Sequence, residues 1–565
     1  MLADQSVERN PKNLMLGRRE TTDGKVGPYA WLTYQEAYDK AIRIGSAMRA
    51  SNVNPACNSH GIYYVPLYDT LGANAVEFII NHAEISIAFI QENKIDAVSQ
   101  FRQSMTPRND SLSDNEYTEM HHTSEEYRLS ALEKLPVPKR KKQSWLERLG
   151  SEDCELPPKN KDDICTIMYT SGTTGDPKGV LLSNGAIMTE VMTIDDLLRE
   201  TDKVDVRYLV DDIQALKPTI FCGVPRVYDR IYTGIKGKIS TGGAVKRSLF
   251  HCAYGYKLRN MESGMKQDKA APFCDKIIFS KIKEGLGGRV RILLSGAAPL
   301  PKHIEEFLRV TSCSVLIQGY GLTESSAGCF TAIANVFSMM GTVGVPVTAI
   351  EARLESVPDM GYDALAEVPR GEICLRGKTL FSGYYKRPDL TEEVLIDGWF
   401  HTGDIGEWQP NGAMKIIDRK KNIFKLSQGE YIAVENIEST YGRCPLITSI
   451  WVYGNSFESF LVAVVIPERK ALEDWASMHN EGGDFESLCR NPKARKYFLD
   501  ELNNTGRKHN LRGFEMIKGV HLEPNPFDME RDLITPTFKL KRPQLLQYYK
   551  EHIDELYSEA RGTKA

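Results

Sequence analysis

The strongest candidate for a functional site in this sequence is a run of small, hydroxylated and glycine residues that is followed closely by a lysine. Residues 164–180 read ICTIMYTSGTTGDPKGV, and the apolar start and end of this segment predict two short strands. Glycine lets the chain between them turn tightly, so that backbone N–H groups and hydroxyls form a concave surface for phosphate oxygens. Lys178 adds a positive charge. The segment therefore predicts a phosphate-binding loop, for which the alternative is a flexible Ser/Thr/Gly linker.

Two more predicted strands run into loops of small residues. Residues 290–299 read VRILLSGAAP and residues 315–324 read VLIQGYGLTE. In an open α/β sheet, ligands bind at the carboxyl ends of the strands, so we expect these loops to face one cleft together with the phosphate-binding loop. That loop consists of Thr170, Ser171, Gly172, Thr173, Thr174 and Gly175.

The composition is that of an ordinary globular protein with more than one domain. The chain has 565 residues, of which 41% are apolar and 26% are charged, and its net charge is −4. This balanced charge argues against nucleic acid as a partner. The 11 cysteines contain no C-x-x-C pair and are expected to be reduced thiols. We expect no secretory signal and no membrane-spanning helix, which leaves peripheral contact with a membrane open.

Alternating strands and helices in the first half predict an α/β domain with a largely parallel sheet. Thr33 is a candidate N-cap for the first helix. Residues 92–150 are polar, with a basic run at 139–142, and predict disorder or a long surface insertion. Strands are expected at residues 28–34, 63–66, 85–90 and 218–225. Helices are expected at residues 34–48, 73–82, 184–198 and 209–216.

Strands dominate the sequence from residue 371 onward. A helix is expected at residues 432–441, followed by two alternating strands at 449–453 and 460–466. These elements predict a small α+β domain. We therefore place the domains at residues 1–418 and 419–565.

The candidate loops resemble motifs of a known family. YTSGTTGDPKGV at 169–180 resembles the phosphate-loop motif of the adenylate-forming enzymes, and later motifs follow in the family's order. Residues 397–421 closely resemble the signature of fatty acyl-CoA synthetases. Segments such as PFDMERDLITPTFKLKRPQL resemble plant long-chain acyl-CoA synthetases, and among them members that serve wax and cutin synthesis. The later motifs are SGAAP at 295–299, QGYGLTE at 318–324, DGWFHTGD at 397–404 and TPTFKLKR at 535–542.

The resemblance implies an α/β fold with a large N-terminal adenylation domain, whose mainly parallel sheets are flanked by helices, and a small mobile α+β C-terminal domain. It implies ATP and Mg²⁺ as cofactors, CoA as co-substrate and a long-chain fatty acid as substrate. Glu324 would hold Mg²⁺ with Thr170, Thr323 would meet the α-phosphate, and Lys539 would stabilise the transition state. The residues implied to bind nucleotide or CoA are the six loop residues and Lys178, Gly296, Ala297, Gln318, Gly319, Tyr320, Gly321, Asp404, Arg419, Lys421 and Lys425.

The implied reaction has two halves. A fatty-acid carboxylate attacks the α-phosphorus of ATP to give acyl-AMP and pyrophosphate, and CoA then displaces AMP. Between the halves the small domain would turn about Lys421, removing Lys539 and bringing in the face that carries Lys425. The resemblance also implies action at the cytosolic face of the endoplasmic reticulum or in the cytoplasm.

Three segments depart from the family's pattern. A long segment with a Pro-Leu-Ala-His motif is missing between residues 201 and 209, a strand and a helix are missing near 55–57, and residues 91–142 barely resemble the family. Losing strands from a packed sheet exposes core and leaves edges unpaired. The alternative to a fatty acid–CoA ligase is therefore a catalytically impaired, nucleotide-binding remnant. An activity of coumarate-ligase or luciferase type is a third, weaker hypothesis.

His401 is open to a catalytic or a structural role, and we favour the structural one.

Overall fold

The computed structural model describes residues 7–22, 25–50, 64–66, 73–83, 151, 160–170, 177–195, 209–535 and 538–562. The chain forms two compact units, residues 1–169 with 176–184, and residues 170–175 with 185–565. The predicted domain boundary at 418/419 lies inside the second unit and stays a prediction. The predicted insertion at 92–150, the predicted strand at 85–90 and five of the six loop residues lie outside the described residues.

The first unit contains an antiparallel hairpin and a parallel contact. Strands β1 (Leu14–Thr22) and β2 (Lys25–Thr33) pair with each other, and only β2 was predicted. A reciprocal capping box then starts helix α1 (Tyr34–Ala50), because Thr33 Oγ1 accepts from the Glu36 N–H while a Glu36 oxygen accepts from the Thr33 N–H. Of the predicted strand at 63–66, Tyr64 forms a parallel bridge to Thr166.

Helix α2 (Ala73–His82) has the predicted bounds. Strands β3 (Ile164–Thr170) and β4 (Lys178–Ser183) pair on either side of the predicted phosphate-binding loop. His82 Nδ1 lies 2.6 Å from the Tyr169 hydroxyl, which ties α2 to β3.

The second unit begins with helices on a five-stranded sheet. Its order is β5 (Ile220–Gly223), β6 (Ile292–Ser295), β7 (Val315–Tyr320), β8 (Phe330–Thr331) and β9 (Val345–Pro346). Strands β5, β6 and β7 are parallel, as expected, whereas β8 and β9 are antiparallel additions. Buried residues such as Tyr228, Phe279 and Leu308 pack the helices against this sheet.

An antiparallel sheet follows in the chain. Its path runs from β10 (Ile350–Glu355) through β11 (Arg370–Gly377) and β13 (Trp399–Trp408) to β12 (Leu395–Ile396), and β14 (Met414–Arg419) also pairs with β13. The two remaining small sheets are β15 (Ile423–Lys425) with β16 (Tyr431–Ala433), and β17 (Ile447–Tyr453), β18 (Leu461–Pro467) and β19 (Ile517–Leu522).

The helix predicted at residues 432–441 starts later than expected. Ile432 and Ala433 belong to β16, where they pair with Phe424 and Ile423, and the helix begins at Val434. The prediction was wrong at this end because pairing with a distant strand overrode the local helical pattern. The buried strand β18 and the helix Pro492–Lys508 share one apolar core.

The helices of the second unit begin with α3 (Asn184–Asp195), whose predicted end lies outside the described residues. Next come α4 (Leu209–Leu216), with its predicted bounds, α5 (Pro225–Ser240), α6 (Ala244–Glu262), α7 (Gln267–Ala270), α8 (Pro272–Cys274), α9 (Ser280–Gly285) and α10 (Lys302–Thr311). The rest are α11 (Pro388–Val394), α12 (Val434–Tyr441), α13 (Arg469–Met478), α14 (Phe485–Arg490), α15 (Pro492–Lys508), α16 (Arg542–Tyr548) and α17 (Lys550–Ala560). Among the described helices, none has the length and apolar character needed to cross a membrane.

Candidate active site

A cavity of about 470 Å³ lies in the second unit. Ala297 follows β6, and Gly319 and Tyr320 end β7, so the carboxyl ends of two parallel strands form one wall. This is where an open α/β sheet binds its ligands. The other walls bring in residues far away in the chain. They include Asp404, Arg419, Lys421, Glu435 and Lys539.

One carboxylate in this cavity is held by two partners. The hydroxyl of Tyr320 donates a hydrogen bond of 2.6 Å to Asp404 Oδ2, and Arg419 Nε lies 3.4 Å from Asp404 Oδ1. Asp404 and Arg419 are also opposite each other in the β13–β14 register. The pairing of the two strands therefore keeps the Asp404 carboxylate and the Arg419 guanidinium next to each other before any ligand binds.

An irregularity in β13 aims Asp404 at the cavity. Strands β11 and β13 lose their regular register between Glu372 and Cys374, and Gly403 adopts a φ of 72°. The Thr402 hydroxyl donates to the Ile373 carbonyl and accepts from the Asp404 N–H, while Glu372 Oε1 accepts from the Gly403 N–H. Bulges of this kind redirect a side chain, and here the redirected side chain is a candidate ligand for ribose.

Close backbone packing shapes the loop after β7. A Cβ on Gly321 would overlap the carbonyl oxygen of Ala327, so a side chain at this position requires the loop to move. Ala297, in the loop after β6, has a φ of 70°, a conformation that costs a residue with a Cβ. Both loops thus keep the backbone close to the cavity.

Lys539 lines the cavity, and its backbone is hydrogen-bonded to Thr535. The Lys539 N–H donates to Thr535 Oγ1, and the Thr535 N–H donates to the Lys539 carbonyl oxygen. Phe538, which precedes the lysine, has a φ of 61°. A non-glycine residue in this left-handed region stores about 1–3 kcal/mol of strain, which is typical of functional sites. The hydrogen bonds to Thr535 therefore hold the backbone of Lys539 in a defined position.

The charges in the cavity perturb one another. Burial raises the pKa of Asp404, against the opposing effects of Arg419 and the Tyr320 hydrogen bond. Burial and then the charge of Arg419 lower the pKa of Lys539. For Arg419, burial acts against the charged form, but the carboxylates of Asp404 and Glu435 outweigh it and raise its pKa. Arg419 and Lys539 are thus two cations close enough to affect each other, and together they can attract an anionic ligand.

Glu324 lies in the 3₁₀ turn Thr323–Ser325 directly after β7. Its Oε1 accepts a hydrogen bond of 2.8 Å from the Tyr384 hydroxyl, and its carbonyl oxygen accepts from the Phe381 N–H. These contacts fix the turn that carries both Thr323 and Glu324. Neither residue lines the cavity itself.

The other predicted residues are placed in different surroundings. The buried Gln318 side chain donates to Glu305 and accepts from the Leu300 N–H, so it is committed to the core. Lys425 lies over the ring of Tyr431, with 5.1 Å between Nζ and the ring centroid. Gly296 donates to the Gly223 carbonyl. Thr170 ends β3 and Lys178 begins β4, while Ser171, Gly172, Thr173, Thr174 and Gly175 lie outside the described residues.

Sequence reasoning missed residues whose roles depend on distant contacts. Tyr384 supports Glu324, and Glu435 lines the cavity and donates its N–H to Asp418. Glu190 is buried, and its Oε1 accepts from the Gly328 N–H in the loop after β7. Burial raises the pKa of Glu190 to about 7. A buried carboxylate inside an apolar helical pattern gives no local signal of such a partner.

Comparison with known proteins agrees with this geometry. The fold resembles the adenylation domain of a carboxylate reductase from Mycobacterium chelonae, with a TM-score of 0.72, 22% identity and coverage of 99% of this chain and 90% of that one. The family model of the AMP-binding enzymes matches residues 55–208 and 196–385.

Two plant proteins are similar over nearly the whole chain. A probable CoA ligase from Humulus lupulus is 61% identical, covering 99% of this chain and 92% of the relative. Long chain acyl-CoA synthetase 2 from Arabidopsis thaliana is 56% identical, with the same coverage. The chain therefore belongs to the AMP-binding enzyme family, and within it to the long-chain acyl-CoA synthetases.

The same comparison shows that the aligned relative contains residues for which this chain has no counterpart, and the positions of the three departures stay predictions. The alignment with the Humulus lupulus protein runs over 617 positions, more than the 565 residues of this chain. The match nevertheless extends over 99% of the chain, which favours the ligase over the impaired remnant.

Proposed function

We propose that this chain is a long-chain fatty acid–CoA ligase, which forms acyl-AMP from a fatty acid and ATP and then transfers the acyl group to CoA. The observation that carries the proposal is the placement of Tyr320, Asp404, Arg419 and Lys539 around one cavity. A carboxylate that accepts from ribose hydroxyls and two cations that attract phosphate match the needs of a nucleotide.

The first half-reaction needs positioning and charge, and it needs no base. The fatty-acid carboxylate is ionised at neutral pH and attacks the α-phosphorus directly. Negative charge grows on the α-phosphate oxygens in the transition state, and the fixed ammonium of Lys539 stabilises that charge more than it stabilises the ground state. Asp404 holds the ribose, so the α-phosphate stays within reach of Lys539.

Glu324 and Thr170 fit the proposed Mg²⁺ site by the chemistry of their donors. Mg²⁺ takes one or two carboxylates together with phosphate oxygens, and Tyr384 already orients the Glu324 carboxylate. When bound, Mg²⁺ would neutralise charge on the phosphate oxygens and so would favour the departure of pyrophosphate. Tyr384 and the backbone contact to Phe381 keep the Thr323–Ser325 turn in place for this role.

We also propose that the acyl chains serve wax and cutin synthesis and that the enzyme acts peripherally at the cytosolic face of the endoplasmic reticulum or in the cytoplasm. The support is the resemblance of segments such as residues 526–545 to plant enzymes of that class. A fluorescent fusion and membrane fractionation, with and without a salt wash, test the location. Recovery of the protein in the lumen of a secretory compartment contradicts it.

The decisive experiment for the ligase is pyrophosphate release from Mg-ATP with a panel of long-chain fatty acids, with and without CoA. Release that depends on the fatty acid, with acyl-CoA formed only when CoA is present, is the expected result. A folded protein that binds ATP but releases no pyrophosphate with any fatty acid overturns the proposal. That result would favour the alternative hypothesis of a catalytically impaired, nucleotide-binding remnant. The preferred acyl length then assigns the substrate within the panel.

A further inference from the structure

Three neighbouring strands bring sulfur, nitrogen and oxygen donors together outside the nucleotide cavity. Cys374 on β11 is opposite His401 on β13, and Glu355 on β10 is opposite Glu372 on β11. Because residues two apart on a strand share a face, the four side chains lie on one face of the sheet. The register of the sheet, rather than a mobile loop, therefore sets this cluster.

The distances between donor atoms suit a single small cation. Cys374 Sγ lies 3.6 Å from His401 Nδ1, and Glu372 Oε2 lies 3.8 Å from the same nitrogen. Glu355 Oε2 approaches the other ring nitrogen, at 4.0 Å from His401 Nε2, and one ligand atom each from Glu355, Cys374 and His401 lie within 4.8 Å of one another. Tetrahedral Zn²⁺, with bonds of about 2.3 Å to sulfur and 2.0–2.1 Å to nitrogen, requires a sulfur–nitrogen distance of about 3.5 Å.

We propose that Cys374, His401 and Glu355 form a binding site for a thiophilic divalent cation, with Zn²⁺ as the best match and Glu372 as a fourth donor. One thiolate, one imidazole and carboxylate oxygens are the donor set that Zn²⁺ accepts, whereas Mg²⁺ avoids sulfur. When the cation binds, the covalent S–H bond of the Cys374 thiol breaks, its proton leaves to solvent, and a bond forms between the metal and the sulfur. This site is distinct from the proposed Mg²⁺ site at Glu324.

The cluster is partly buried, and side chains of both charge signs surround it. Cys374 is fully buried and the His401 side chain is 13% exposed, whereas the Glu355 side chain is 49% exposed. Glu355 therefore forms the open side of the site. Two cations oppose a metal ion here. Arg353 donates to Glu355 and stacks on Trp399, and Lys420 lies 2.9 Å from Glu372 Oε2.

The test is a titration of the purified, metal-free full chain with Co²⁺, followed by displacement with Zn²⁺. Near-ultraviolet absorption from thiolate-to-cobalt charge transfer, at one Co²⁺ per chain and lost when Zn²⁺ is added, is expected for the wild type. Cys374→Ser should abolish this band. Cys252→Ser, at an exposed thiol on α6, is the matched control and should leave it unchanged.

Two variants keep the proposal testable if Cys374→Ser does not fold. Glu355→Gln, at the exposed ligand, should weaken Co²⁺ binding by at least about tenfold. Arg353→Ala removes a neighbouring cation and should strengthen binding, a result that a purely structural cluster does not give. A wild type without the band, a band that survives Cys374→Ser in folded protein, or binding unaffected by both Glu355→Gln and Arg353→Ala overturns the site. In that case Cys374 and His401 form only a cross-strand hydrogen bond.

Discussion

The hydroxyl of Tyr320 donates to Asp404 at 2.6 Å, although the two residues are 84 positions apart in the chain. Arg419 lies 3.4 Å from the second oxygen of the same carboxylate. A carboxylate oxygen accepts more than one hydrogen bond, so Asp404 keeps acceptor capacity for a ligand. Tyr320 and Arg419 therefore orient Asp404, and the carboxylate is positioned before any ligand binds.

Asp404→Asn should weaken nucleotide binding. Replacing a charged acceptor removes a bond worth about 1.5–3 kcal/mol, so we expect KM for ATP to rise by about 10- to 100-fold. Initial rates of pyrophosphate release at varied ATP measure this. Tyr320→Phe, which keeps the carboxylate but loses one support, should give a smaller rise. Equal KM values for the wild type and Asp404→Asn contradict the ribose assignment.

Lys539→Ala should abolish most of the first half-reaction. A fixed cation at the developing charge contributes about 10²–10³-fold in rate, so kcat for acyl-AMP formation should fall by that factor. The matched control is Lys541→Ala in the same segment, because Lys541 pairs with Asp532 instead of lining the cavity. Thioester formation from pre-formed acyl-AMP should be affected less than adenylation. Similar losses in both lysine variants would refute the specific role of Lys539.

The rate of adenylation should fall on the alkaline side at a lower pH than an ordinary lysine would cause. Lys539 is useful only when charged, and burial together with Arg419 lowers its pKa, so the charge is lost earlier as the pH rises. Lys539→Arg keeps the charge at high pH and should move this limb upward, even where it lowers the maximal rate. The measurement is kcat for pyrophosphate release across pH in both proteins. An unchanged alkaline limb in Lys539→Arg assigns the titration to another group.

Gly321→Ala should distort the loop that carries Thr323 and Glu324. A Cβ at this position would overlap the Ala327 carbonyl. The atoms that it meets belong to the backbone of Ala327 and Gly328, so no flexible side chain can move aside. We expect a strong loss of activity and a lower melting temperature, measured by pyrophosphate release and thermal unfolding. Gly234→Ala on α5 is the control, because a Cβ there meets no heavy atom within 4 Å, and alanine favours a helix by about 0.5–1 kcal/mol. A harmless Gly321→Ala contradicts the close packing.

Arg542→Ala should destabilise the protein by about 3–5 kcal/mol, because it leaves a buried carboxylate without its partner. Arg542 donates to both oxygens of Glu438, at 3.0 and 2.7 Å, and the two side chains are 19% and 11% exposed. Arg469→Ala removes the exposed pair with Glu473 and should change the free energy of unfolding by less than about 1 kcal/mol. Urea unfolding of both variants provides the comparison. Equal effects from the two substitutions argue against a buried pair.

Local sequence patterns predicted those helices and strands whose conformation depends mainly on the residues within them. Helices α2 and α4 have the bounds that their apolar spacing indicated, and the strands leading to Tyr320 and Ala297 were found because apolar runs end in glycine. Strand β1 was missed because its sequence, LMLGRRETT, does not alternate, and its pairing with β2 supplies the order.

The candidate site divides in the same way. Asp404, Arg419 and Lys539 belong to contiguous motifs and could be named from sequence, and the cavity brings them together. Gln318 belongs to the same kind of motif, yet its side chain points into the core, because alternate residues of a strand face opposite sides. The supports from Tyr384, Glu190 and Glu435 depend on contacts between distant segments, which no local pattern encodes.

Arg419 is the last residue of β14, and the turn Lys420–Asn422 follows it at once. The residue that approaches the proposed ribose ligand is thus covalently continuous with the proposed hinge. Thermodynamic linkage then makes the coupling reciprocal, since any nucleotide that favours one hinge orientation binds that orientation more tightly by the same factor. If the proposed hinge and nucleotide site are correct, ATP, acyl-AMP and AMP would each shift the hinge equilibrium by the ratio of their affinities for the two orientations.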